Sequence, residues 1–277
     1  MGRVVAGFSV PHTPYLPMTI PQGGIDANNG PLYERIRREL EDARVDAIVI
    51  FDDDHLNTFF LDAWPTFAIG VADRFHGPID QYFEERTVPV ARDLAHAIHV
   101  HGVQSGFDLV RSEKFGVDHS IMVPLHFLVP DNDVPVIPIW VNALYPPFPS
   151  AARTHALGRM VGDAVAAYPD DLRVAVVASG SITHEVGGPR IYEGEFWAAP
   201  DPGWLKTVAE RLRSGDVARL VEEATDVRLE RAGNVAHELL TIVAMLGAIG
   251  DRAATFLETD DRLGHAFGSW RWEDDAR

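Results

Sequence analysis

One carboxylate set in an apolar helix constrains this chain more than any other feature. The stretch Ala236-His237-Glu238-Leu239-Leu240-Thr241-Ile242-Val243-Ala244-Met245-Leu246 reads as a helix that is apolar almost all round. Such a helix belongs inside a large core, not on a surface. At helical spacing Glu238 shares a face with Ile242 and Met245. A buried carboxylate is costly unless it is paired, protonated or bound to a metal. The fold must therefore bring a partner to Glu238.

The rest of the chain can build that core. Apolar, strand-like runs at Val4 to Val10, Val45 to Phe51, Phe67 to Val71, Val136 to Val141 and Leu172 to Ser179 alternate with helical patterns. Pro138 marks the fourth run as an edge strand or a bulge. Helical stretches are expected at Leu32 to Ala43, Val90 to His101, 203–214 and 216–225. Leu157, Met160, Val161, Ala164 and Val165 recur at i, i+3, i+4, i+7 and i+8 and add an amphipathic helix. Strands alternating with helices argue for an α/β fold, a mostly parallel central sheet covered by helices on both faces. No linker, repeat or low-complexity tract interrupts the pattern, so a single domain over 1–277 is expected. Residues 259–277, polar and without periodicity, read as a loosely structured tail.

Composition excludes several functions. There is no cysteine, so disulfides, thiolate metal sites and a cysteine nucleophile are ruled out. The net charge of −17 argues against nucleic acid or an anionic membrane surface as partner. No run is long enough to span a bilayer. The N-terminus has neither the pattern of a signal peptide nor, with Ala6 in place of Ser or Thr, that of a myristoylation signal. A cytoplasmic location is the expectation.

Histidines supply candidate partners for Glu238. His12 (in Ser9-Val10-Pro11-His12-Thr13-Pro14), His55 (in Asp52-Asp53-Asp54-His55) and His184 (in Ser181-Ile182-Thr183-His184-Glu185) each follow an apolar run. Ligands of open α/β sheets bind beyond the carboxyl ends of the strands, so the three can converge on one crevice. Two histidines and a carboxylate form the ligand set of non-haem Fe(II) oxygenases. His119 lies in Val117-Asp118-His119-Ser120. A histidine near neutral pH can take and return a proton. Each has a plainer reading as a structural histidine in a turn. His96, His99 and His101 read as a solvated helix face, and His76, His126, His155, His237 and His265 are assigned no role.

Taken in order, these segments resemble the class III extradiol ring-cleavage dioxygenases, of the type of the protocatechuate 4,5-dioxygenase β subunit and the gallate enzymes. The resemblance runs from Ser9–Pro14 through Phe51 to Phe60, Pro65 to Gly70, Val117 to Ser120, Val123 to Leu125 and Ser181 to Arg190, and ends in Gly233 to Gly247. It implies Fe(II) as cofactor, held by His12, His55 and Glu238. It implies His184 as the acid/base histidine and His119 as a second catalytic histidine near oxygen or substrate. It also implies O₂ and a catechol-type ring as substrates, the ring being monocyclic, with carboxylated rings such as protocatechuate or a gallate among the candidates. A homo-oligomer is expected, with or without a small α-type subunit. Two other readings stay open. One is a non-catalytic binding relative on the same fold. The other is a metal-dependent hydrolase that uses Asp52 or Asp54 with His55.

Overall fold

Runs such as Ala47–Asp52 are buried at every position, so their strands need cover on both sides of a sheet. The computed structural model, which describes residues 1–77, 85–191 and 196–272, provides that cover. The chain opens with β1 (Arg3–Val10), α1 (Leu16–Gln22), α2 (Gly30–Ala43) and β2 (Ala47–Asp52). It continues with β3 (Phe67–Gly70), β4 (Arg74–Gly77), β5 (Arg86–Pro89), α3 (Arg92–Gln104) and β6 (Val110–Ser112). Next come α4 (His119–Leu128), β7 (Val136–Val141), α5 (Ala151–Ala167), β8 (Arg173–Ser179), β9 (Glu185–Val186) and β10 (Trp197–Ala198). The last elements are α6 (Pro202–Ser214), α7 (Val217–Glu223), α8 (Asp226–Ala232), α9 (Leu239–Ile249), β11 (Phe256–Asp260) and β12 (His265–Arg271).

Eight strands form one sheet in the order β11-β12-β1-β8-β2-β7-β3-β6. Its centre is parallel: β8 lies between β1 and β2, and β2 pairs with β7. Helices α5 and α9 pack on each other and on β1, while α2 and α4 pack together and reach β1, β2 and β8. The mostly parallel sheet with helical cover on both faces is the expected architecture. Among the described residues, no helix is long and apolar enough to cross a membrane.

Two expectations are corrected. The segment from 259 is not a loose tail through its described part. Leu257 pairs with Gly268 and Asp260 with His265, and β12 runs antiparallel to β1, with Ala6 opposite Arg271. The hairpin caps the sheet edge that β1 would otherwise leave open, which supplies the order that its own sequence does not advertise. Residues 273–277 of that segment lie outside the described residues. The second correction concerns Pro138, which lies in an interior strand. Its ladder with β3 ends at the Ile69–Ile139 pair, one step before Gly70 would face Pro138. The missing N–H therefore costs no bond on that side.

Candidate active site

Strands β1, β8 and β2 are parallel neighbours, so their carboxyl ends lie side by side. His12 leaves β1 two residues past its end, His55 follows β2 by three and His184 follows β8 by five. The turn Pro11-His12-Thr13-Pro14 is fixed by its prolines and by Tyr33 Oη, which donates to the Pro11 carbonyl at 2.8 Å. Glu238 arrives from the opposite direction. It closes a 3₁₀ turn, Ala236–Glu238, that runs straight into α9. Its approach depends on Gly180, just past β8. A Cβ there would lie 2.8 Å from the Glu238 carbonyl oxygen and 3.0 Å from its Cβ.

One ligand atom from each of His12, Asp53, His55 and Glu238 lies within 4.8 Å of all the others, an arrangement that can hold a metal ion. His12 Nε2 is 3.5 Å from Glu238 Oε1 and 3.8 Å from Asp53 Oδ1, and His55 Nε2 is 3.8 Å from Asp53 Oδ2. Glu238 Oε2 and Asp53 Oδ1 are buried without a hydrogen-bond partner. Two orphaned carboxylate oxygens facing two imidazoles fit a divalent cation, which would satisfy both.

Hydrogen bonds behind the cluster set the tautomers. Asp118 Oδ2 accepts from His55 Nδ1 at 3.2 Å, leaving Nε2 as the atom that faces Asp53. Ser179 Oγ donates to the Ser120 carbonyl, so at 2.9 Å it accepts from His12 Nδ1. That carbonyl is available because of Pro124. Four residues on in α4, Pro124 has no N–H with which to close the helical bond to Ser120. The proline thereby frees the acceptor that orients Ser179 and, through it, His12.

Charge follows the same geometry. Burial works against the charged form of His55, but Asp53 and Asp118 outweigh it and push its pKa up to about 10. Burial would raise Glu238, yet His12 brings it down to about 2. Asp53 is lifted to about 6, chiefly by burial, with Glu238 adding to the rise and His55 opposing it. Without a metal, the imidazoles and carboxylates pair as ions. A metal bound there would take the place of the protons.

His119 and His184 complete the site. The His119 ring stacks on His55 at 4.1 Å between centroids and lies 5.8 Å from that of His12. His184 is buried, and burial lowers its pKa, so the ring is neutral near pH 7. Its Nδ1 donates to the Leu263 carbonyl at 2.7 Å, which leaves Nε2 as the proton acceptor. All five sequence candidates (His12, His55, His119, His184 and Glu238) line one cavity of about 580 Å³.

The other candidates do not enter the site. Asp54 accepts the backbone N–H groups of Asn57, Thr58 and Phe59 and so builds the loop after His55. Asp52 faces Ser120 Oγ at 3.3 Å. Asp53, passed over in the sequence, is the aspartate that joins the cluster. In extended backbone it shares a side with His55 two residues on, a signal present but ambiguous within a run of three. His265, assigned no role, is buried behind the site, with its Nε2 3.1 Å from Thr13 Oγ1 and its ring 5.1 Å from that of His184. His96, His99 and His101 belong to no metal-holding group among the described residues.

The chain is similar to known proteins in sequence and in fold. Residues 6–267 match the family described as the catalytic LigB subunit of aromatic ring-opening dioxygenase. A 2,3-dihydroxyphenylpropionate/2,3-dihydroxicinnamic acid 1,2-dioxygenase of Rhodococcus sp. is 30% identical over 284 residues, covering 88% of this chain and 89% of the relative. A protein of the same name from Klebsiella pneumoniae (strain 342) is 28% identical, over 95% of this chain and 90% of its own. The crystal structure of an uncharacterized protein from Escherichia coli K12 superposes with a TM-score of 0.62 at 15% identity, covering 96% of this chain and 98% of that one, a likeness of fold alone.

Proposed function

The chain belongs to the aromatic ring-opening dioxygenase family of the catalytic LigB subunit, and on that premise we propose that it is an Fe(II)-dependent extradiol dioxygenase. It inserts both atoms of O₂ into a catechol-type ring and opens the ring beside the diol. The observation that carries this reading is the convergence of His12, His55 and Glu238 on one point at the floor of the cavity, with two carboxylate oxygens left unpaired.

His12 Nε2, His55 Nε2 and the Glu238 carboxylate would hold the metal. Fe(II) bound there supplies the redox capacity that makes O₂ reactive and the positive charge that acidifies the diol. His184 Nε2 accepts the proton of a substrate hydroxyl, since the ring is neutral and its Nδ1 proton is committed to Leu263. The same nitrogen returns the proton as the ring opens. His119, stacked on His55, offers a polar edge to oxygen or to the diol. Tyr15, Trp197 and Val235 wall off water and hold the ring over the floor.

The test is anaerobic loading with Fe(II), then O₂ uptake with a panel of catechols. Uptake with a visible ring-opened product, abolished in Glu238→Ala and His12→Ala, carries the reading. His184→Ala should keep iron and lose about 10²–10⁴-fold in turnover. Failure of the wild type to bind iron at all would end it.

The presence of Asp53 in the donor group is the one observation favouring a metal-dependent hydrolase. The hydrolase reading needs aspartate ligands. Asp52→Asn should leave metal affinity unchanged, because Asp52 faces Ser120 Oγ and belongs to no metal-holding group among the described residues; burial first, and Asp118 and Asp53 second, push its pKa up.

A further inference from the structure

The walls of the cavity carry information that its floor does not. The floor is polar and suits a diol. Above it stand Tyr15, Leu144, Val186, Phe196, Trp197 and Val235. The Tyr15 and Trp197 rings lie 5.3 Å apart, and the Phe196 ring meets Trp197 edge-on at 6.0 Å. At about 580 Å³ the cavity is within the range of roughly 300–1,000 Å³ that accommodates drug-sized ligands, more than a bare six-membered ring requires. The cavity has room for a substituent on the ring, and the apolar residues such a substituent would meet are aromatic and aliphatic.

No Lys or Arg is among the described residues lining that cavity. Arg190, beyond the wall residue Val186, is already engaged. Its Nη2 bonds Glu185 Oε2 at 2.6 Å, and its Nη1 bonds the carbonyls of Glu230 and Arg231 at 2.9 and 2.8 Å. Glu185 is fully buried and keeps its second oxygen unpaired, so the guanidinium is needed where it is. Of the residues at 78–84, 192–195 and 273–277, only Arg277 is basic. Among the described lining residues Glu238 is the one acid, and it belongs to the metal-holding group rather than to the wall. With the diol on the metal, a carboxylate on the ring that is seated against this wall gives up its water and meets no Lys or Arg there.

We propose that this site selects a catechol bearing an uncharged, apolar substituent, alkyl or aryl, seated against Tyr15, Phe196 and Trp197, and disfavours carboxylated catechols. The inference rests on the dioxygenase reading above and departs from the carboxylated ring suggested by resemblance. It also departs from the relatives named for 2,3-dihydroxyphenylpropionate.

The experiment compares two catechols of equal size that differ in charge, 3-(2,3-dihydroxyphenyl)propionate and 3-isopentylcatechol. Binding to the Fe(II)-loaded full chain is read by calorimetry without O₂, and O₂ uptake is then followed with each. The apolar compound should bind at least about tenfold more tightly and show the higher kcat/KM, since an unpaired buried charge costs more than an order of magnitude in affinity. Phe196→Arg, at an exposed rim position, should narrow or invert the gap by pairing with the propionate. Equal or tighter binding of the propionate by the wild type, with O₂ consumed, overturns the inference and leaves the dioxygenase reading standing. Uptake with another ring of the panel but with neither of these overturns the inference alone, and no uptake with any ring removes the dioxygenase reading and this inference with it.

Discussion

Asp118 Oδ2 accepts two hydrogen bonds from His55, one from its backbone N–H at 3.0 Å and one from ring Nδ1 at 3.2 Å. The same carboxylate receives Asn57 Nδ2 at 2.9 Å, and its other oxygen caps α4 through the Ser120 N–H at 2.8 Å. Burial would raise Asp118, but the charge and hydrogen bond of His55 hold it well below the usual carboxylate range. One ionised residue thus fixes the position and tautomer of His55 while anchoring the helix that carries His119. Asp118→Asn can still cap the helix, because asparagine is a good N-cap. It cannot sustain the carboxylate–imidazole pair. Metal affinity should fall about 10–100-fold, measured by competition with a chelator, and the metal-free protein should melt at a lower temperature near pH 7, where the pair with protonated His55 is lost. Unchanged affinity would mean that the pair does not tune the site.

Metal binding should release protons. In the metal-free protein His55 is protonated up to about pH 10. A metal needs the lone pair of Nε2, so the proton must leave. Calorimetric titration with a divalent cation at pH 7, in buffers of different ionisation enthalpy, should report at least one proton released per metal. Affinity should climb about tenfold per pH unit for each proton displaced. The sign for stability is opposite. The folded pKa of His55 lies above its ordinary 6.5. Its stabilisation of the metal-free fold is therefore complete below pH 6.5 and is lost as pH rises through about 10. A metal-free protein whose melting temperature is indifferent to that window would contradict the ion pairing.

The path from Pro124 to His12 gives a third expectation. Ser179→Ala removes the hydroxyl that bridges the Ser120 carbonyl and His12 Nδ1. His12 then has no fixed tautomer, and the carbonyl has no partner. Metal affinity should drop by roughly tenfold or more, while Ser179→Thr, which keeps the hydroxyl, should retain most of it. Equal losses in the two variants would show that packing, not the hydrogen bond, is at stake.

How much of this was legible in the sequence depends on how many partners a residue needs to declare its role. Val45 to Phe51 announced a buried strand, and Glu238 announced a buried site, because each conflicts with solvent on its own. The crevice followed from strand ends alone. Asp53 could not be told from Asp52 and Asp54 without knowing which way the extended backbone turns. Helix α4 was missed because Pro124 argues against a helix, and its missing hydrogen bond acquires a use only beside Ser179, 59 residues from Ser120. The strand His265–Arg271 mixes His, Gly, Ser and Arg and has no clear pattern. It becomes buried only because β1 offers it an edge.

The helix that follows Glu238 is held by close backbone contact, and this yields the last expectation. A Cβ on Gly158 in α5 would lie 1.8 Å from the Ala244 carbonyl oxygen in α9, and one on Gly247 would lie 2.3 Å from that of His155. Each helix thus presents a glycine to the backbone of the other, and neither obstacle is a side chain that can swing away. Gly158→Ala must push α9 outward. Overpacking of this kind costs about 1–3 kcal/mol, or about 2–4 °C in Tm per kcal/mol for a chain of this length. Because Glu238 immediately precedes α9, the shift should also carry its carboxylate away from His12, and metal affinity should fall together with Tm. The same substitution at exposed Gly203, where the nearest atom to a Cβ is 3.4 Å away, serves as control and should change neither. A Gly158→Ala protein as stable as the wild type would show that the two helices are not in backbone contact.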